Sequence, residues 1–81
     1  METRLALIGI VVENNDSAKK INDVLHEYGE FIVGRMGIPY KEREVSVISL
    51  IVDGTMDEIS ALTGKIGKLN GVNVKSAITK A

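Results

Sequence analysis

Along the 81 residues, hydrophobic positions fall into two kinds of pattern, and their alternation predicts the elements. Leu5 to Val12 is an unbroken run rich in branched residues, ended by Glu13-Asn14-Asn15-Asp16. A short apolar run bounded by polar residues reads as a strand buried on both faces. Asp16 is a suitable N-cap for a helix over 17–28, in which Ile21, Leu25 and Tyr28 recur at helical spacing. Gly29 stands where a C′ glycine would end it. Glu30 to Met36 predicts a second strand, weakened by Gly34. Gly37-Ile38-Pro39-Tyr40 predicts a turn, and Lys41-Glu42-Arg43-Glu44 a solvated flank.

Val45 to Val52 is a third strand, apolar except for Ser46 and Ser49, and Asp53-Gly54 closes it. Thr55-Met56-Asp57-Glu58 then fits a capping box, in which the Thr55 hydroxyl accepts from the Glu58 amide and the Glu58 carboxylate reaches back. Ile59, Leu62, Ile66 and Leu69 share one face of a second helix that Asn70-Gly71 ends. Val72, Val74 and Ile78 alternate with Asn73, Lys75 and Thr79, as in a strand with one wet face.

Strand-helix-strand-strand-helix-strand is the split βαβ, or ferredoxin-like, order. The fold class is therefore α+β: a four-stranded antiparallel sheet with two helices on one face and the first and third strands central. Both central strands are apolar on both parities, so roughly six or seven side chains would be left facing water. Covering them is worth on the order of 10–20 kcal/mol as an upper bound. Association costs about 4–15 kcal/mol. A homo-oligomer, dimer or tetramer, is the expectation.

Composition narrows the chemistry. With 81 residues, one domain is expected, and so small a core gains from an added stabiliser. No cysteine is present, which removes disulfides, thiolate zinc sites and iron–sulfur ligation. A net charge of −1 gives no basic nucleic-acid footprint. The first apolar run is too short to span a bilayer and lacks a positive flank or small-residue cleavage site. A cytoplasmic protein without nucleic-acid or membrane partners is expected. No Walker or dinucleotide glycine motif occurs, and neither the single His26 nor Ser46, Ser49, Ser60 and Ser76 shows a catalytic partner.

Gly34-Arg35-Met36-Gly37-Ile38-Pro39-Tyr40 leading to Ser49-Leu50-Ile51-Val52-Asp53-Gly54, then Leu62-Thr63-Gly64-Lys65-Ile66-Gly67-Lys68-Leu69, and last Gly71-Val72 with Val74-Lys75-Ser76-Ala77 form three separated blocks. Together they resemble a family of small stand-alone proteins named as iron-only hydrogenase system regulators. The resemblance spans nearly the whole chain. It implies an ACT-like fold, similar to the ligand-sensing domain of the nickel-responsive repressor, and a regulatory context. That sensing domain holds nickel through histidines and a cysteine, whereas this chain has only His26. Nickel sensing and DNA binding are not expected to carry over, nor is any cofactor or tight metal site.

Two segments are candidates for an effector or partner site. Asn14-Asn15-Asp16 matches the loop that in ACT domains lies beside an effector at a subunit interface, though Asn and Asp also make ordinary turns and caps. In the other segment, Arg35 could clamp an anion, with Gly37 and Tyr40 shaping the loop, though a plain hairpin could hold the same residues. The leading expectation is a non-catalytic binding module. A ligand-free scaffold is the alternative, and a small acylphosphatase-like enzyme, using Arg35 with Asn14 or Asn15, is a remoter one.

Overall fold

The computed structural model describes residues 2–81. Strand β1 (Arg4–Val12) leads through a 3-10 turn (Asn15–Ser17) into helix α1 (Ala18–Glu27). A second 3-10 turn (Gly29–Phe31) precedes β2 (Ile32–Tyr40), and a third (Lys41–Arg43) joins it to β3 (Val45–Gly54). Helix α2 (Met56–Gly67) and β4 (Val72–Ile78) complete the chain. The sheet order is β2-β3-β1-β4, all antiparallel, so the two strands that are apolar on both faces are indeed central.

Residues paired across a sheet share a face, and β1 pairs with β3 from Arg4↔Gly54 to Val12↔Ser46. One face therefore carries Ala6, Ile8, Ile10 and Val12 beside Leu50 and Val52, all buried. Ile21 and Leu25 of α1 and Ile59, Leu62 and Ile66 of α2 close the same cluster from above. Helical periodicity and strand alternation thus meet in one core.

Local chemistry explains the joints. Thr55 Oγ1 accepts from the Glu58 amide at 3.2 Å, and Glu58 Oε1 accepts from the Thr55 amide at 2.7 Å, completing the capping box. Asn14 rather than Asp16 caps the first helical segment: its Oδ1 accepts from the Asp16 amide at 2.9 Å. Ser17, buried, donates its hydroxyl to the Asn70 carbonyl at 2.6 Å and ties the start of α1 to the loop after α2. In that loop Gly71 has φ +69°, and a Cβ there would meet Asn14 Cβ at 2.6 Å. Lys65 of α2 donates to Glu27 of α1 at 2.6 Å and lies 5.2 Å from the Tyr28 ring centroid. The hydrogen bond to the Glu27 carboxylate, then that to Tyr28, raises the Lys65 pKa.

Besides the cap, three further expectations change. Gly37 to Tyr40 is not a turn but the second half of β2, paired from Gly37↔Ile48 to Tyr40↔Val45. Both glycines of this strand have extended backbone, and Pro39 is tolerated because β2 is an edge strand. The reversal falls instead in the charged Lys41–Glu44 run, where Glu44 takes the left-handed conformation (φ 55°, ψ 37°). Gly29 does not adopt the left-handed conformation of a C′ glycine, because the chain passes directly into a 3-10 turn.

Replacing Thr55 with alanine should lower stability by about 1 kcal/mol in urea unfolding, with little change in m-value, since it removes half of the capping box. Gly71→Ala should cost more than Thr55→Ala, because it combines a left-handed backbone with the Asn14 clash.

Candidate functional site

The face of the sheet away from the helices starts from the other parity of the central strands. Leu5, Leu7, Gly9 and Val11 of β1 lie beside Asp53, Ile51, Ser49 and Val47 of β3. In β2 an extra residue at Val33 shifts the register: Ile32 pairs with Val52, but Gly34 already pairs with Ile51. A β-bulge of this kind reverses which face the following side chains occupy. Met36, Ile38 and Tyr40 consequently join the helix-free face, whereas Arg35 turns to the helix side. Leu7 is 53% exposed, Met36 60% and Ile38 51%, and Leu5, Tyr40 and Ile51 stand open beside them. Between Leu7, Met36 and Ile51, the residues Gly9, Gly34 and Ser49 floor a depression of about 500 Å³.

On the helix side, Arg35 Nη2 donates to Asn22 Oδ1 of α1 at 3.2 Å. Both residues open onto a groove of about 210 Å³ between α1 and β2, which runs past Gly37 to Pro39 and Ser46. A neighbouring concavity at the end of the sheet gathers Asn15 with Tyr40, Lys41 and Glu44. Tyr40 donates its hydroxyl to Glu42 Oε2 at 3.4 Å.

The predicted site residues therefore divide. Asn15 and Tyr40 come together, and Arg35 and Gly37 come together one step along the same strand. Asn14 is taken up by its cap and by packing against Gly71, and Asp16 stands exposed at the start of the helical segment, its amide bonded to Asn14. The pairing of Arg35 with Asn14 or Asn15 that an acylphosphatase-like site would use is not formed: the amide oxygen at Arg35 belongs to Asn22. Asn22 lies beside Arg35 because of the bulge, which no local periodicity reveals. The bulge's only trace in the sequence is Gly34, the break in the second strand. His26 and Glu30 border a further open concavity below the bulge. Among the described residues, no three His, Asp or Glu side chains group as metal ligands.

This topology, with both helices on one face and sheet order β2-β3-β1-β4, defines an ACT-like member of the ferredoxin-like folds. The chain belongs to the TM1266-like family, described as "Iron-only hydrogenase system regulator, putative", which it matches over residues 4–76. It is similar to the uncharacterized protein TM1266 from Thermotoga maritima: 35% identity, TM-score 0.93, covering 98% of this chain and 100% of the other. The ACT domain of GTP pyrophosphokinase from Chlorobium tepidum shares the fold at 22% identity and a TM-score of 0.65, over 100% of this chain and 91% of that one. So does CPII from Thiomonas intermedia K12, a nitrogen regulatory PII-like protein solved with ADP, AMP and bicarbonate. There the identity is 14% and the TM-score 0.54, over 98% of this chain and 99% of that one. No curated protein matches the chain.

The division of labour predicts unequal mutational costs. Asn14→Ala should destabilise by about 0.5–2 kcal/mol through its lost cap. Asn15→Ala and Arg35→Ala should each stay within about 0.5 kcal/mol, as exposed positions do. Thermal and urea unfolding of the three variants would check this, and an equal cost for all three would contradict it.

Proposed function

We propose that this protein is a single-domain, cytoplasmic regulator in an iron-only hydrogenase system, working by binding and not by catalysis, as a dimer or tetramer of identical chains. The observation that carries this reading is the helix-free sheet face. Its aliphatic side chains from three adjacent strands stand open together around Leu7, Ile51, Met36 and Ile38. Burying each such side chain fully is worth about 1.5–3 kcal/mol. A second copy brings the same surface, and a two-fold axis lets it cover itself. The family to which the chain belongs and the fold it shares with ACT and PII-like proteins support a regulatory role.

The second element of the proposal is a small-effector or protein-partner surface at Asn15 and Tyr40 and at Arg35 and Gly37, with Asn14 and Asp16 shaping the loop beside it. Arg35 is free to act there, because its only bond to a side chain among the described residues is to a neutral amide. The planar guanidinium can still offer parallel donors to a carboxylate.

Light scattering at micromolar concentration should give the mass of a dimer or tetramer. Leu7→Lys and Ile51→Lys should shift it to the monomer while far-UV circular dichroism stays unchanged. A stable wild-type monomer would refute the assembly. Affinity capture from the native cell should recover a hydrogenase-associated protein, and Arg35→Ala should weaken that capture. A ligand-free scaffold would dock its partner through Arg35 to Tyr40 without a small effector, so that thermal-shift screening against amino acids and metals found no ligand while Arg35→Ala still weakened capture.

A further inference from the structure

The groove between α1 and β2 combines three features with separate origins. The first is the bulge. With uninterrupted alternation after Ile32, Arg35 would stand opposite Ser49 on the helix-free face; the extra residue at Val33 puts it opposite Leu50, on the side of α1. The second is Gly37, two residues further along the same side. Its backbone is extended, and a Cβ would find only Ile48 Cγ1 at 3.9 Å, an ordinary contact. Neither backbone conformation nor crowding calls for glycine there, and glycine weakens a strand interior. What Gly37 contributes is empty space beside Arg35, floored by Ile48 and walled by Val12 and Ile21.

The third feature is charge. Arg35 is the one charged side chain lining this groove. Among the described residues it forms no ion pair, and the amide nitrogen of Asn22 beside it makes no hydrogen bond. One positive charge without an ion-pair partner among the described residues, with adjacent amide donors, therefore sits at the end of an apolar trough, and Glu30 borders the concavity on its other side.

We propose that this groove binds a small monocarboxylate with a short apolar body. The carboxylate lies on the Arg35 guanidinium and the Asn22 amide, and the hydrocarbon lies over Gly37 against Ile48 and Ile21. A single arginine matches a single negative charge, whereas a phosphate dianion would find no second cation. Drug-sized ligands fill about 300–1,000 Å³, and the 210 Å³ here suits a molecule of only a few carbons. This assignment deepens the binding-module reading and rests on it, but not on the assembly through the sheet face.

The test is a titration of the ¹⁵N-labelled full chain with acetate, propionate, 2-methylpropanoate and 3-methylbutanoate, with 2-methylpropanamide and inorganic phosphate as controls. The branched acids should give saturable amide shifts at Asn22, Arg35, Gly37 and Ile48, and the neutral amide should give none. Arg35→Ala should weaken binding about tenfold or more, and Arg35→Lys should weaken it less. Gly37→Val should melt at or above the wild-type temperature, since a β-branched residue suits a strand, and yet lose binding by filling the trough. Saturation by none of the four acids would overturn the proposal. So would equal binding of the amide, tighter binding of phosphate at the same residues, or full binding by a folded Gly37→Val protein. Each of these results leaves the light-scattering and capture tests of the broader function intact, so the two readings fail separately.

Discussion

The pairing of β1 with β3 is the constraint from which the rest of the structure follows. Nine consecutive residue pairs, Arg4↔Gly54 to Val12↔Ser46, hold two strands that are apolar on both parities. The side chain period of two splits each strand's residues between the two faces of the sheet. Ala6, Ile8, Ile10, Leu50 and Val52 on one face can be covered only by the two helices that the connections supply, and both lie there. Nothing within the described chain reaches the other face. The same register that makes the core thus also makes the exposed surface.

Edges are where the sheet acquires its chemistry. The central strands are held by neighbours on both sides and keep strict alternation, whereas β2 has one free side and accommodates both a bulge and a proline. The bulge puts Arg35 within reach of Asn22, and Gly37 keeps the groove next to it open. At the far end of the same strand, Tyr40 meets Asn15 from the loop after β1. One irregular edge strand therefore lines both of these concavities, supported by a regular core that tolerates the irregularity.

The loop after β1 shows how capping and open surface divide between neighbouring residues. Asn14 lies in a segment that resembles an effector loop, but its oxygen caps the helical segment and its Cβ fits against Gly71, where any side chain would collide. Its neighbour Asn15 is spared these duties and faces a concavity. Adjacent residues of the same type divide the work because a cap fixes one side chain and leaves the next one free.

Much was determined by the sequence alone: the element order, the central position of the two doubly apolar strands, the Ile21–Leu25 and Ile59–Leu62–Ile66 helix faces and the Thr55–Glu58 capping box. These follow from local periodicity and local hydrogen bonding, which a chain carries wherever it is placed. Tertiary structure decided that Gly37 to Tyr40 is strand and that the reversal falls at Lys41–Glu44. Glycine and proline permit a turn without requiring one, and pairing with Val45 to Ile48 outweighed their preference. It also decided that Arg35 faces α1 and finds Asn22, thirteen residues away in sequence. The face of every side chain after a bulge depends on where the partner strand absorbs the extra residue, and only the assembled sheet sets that register.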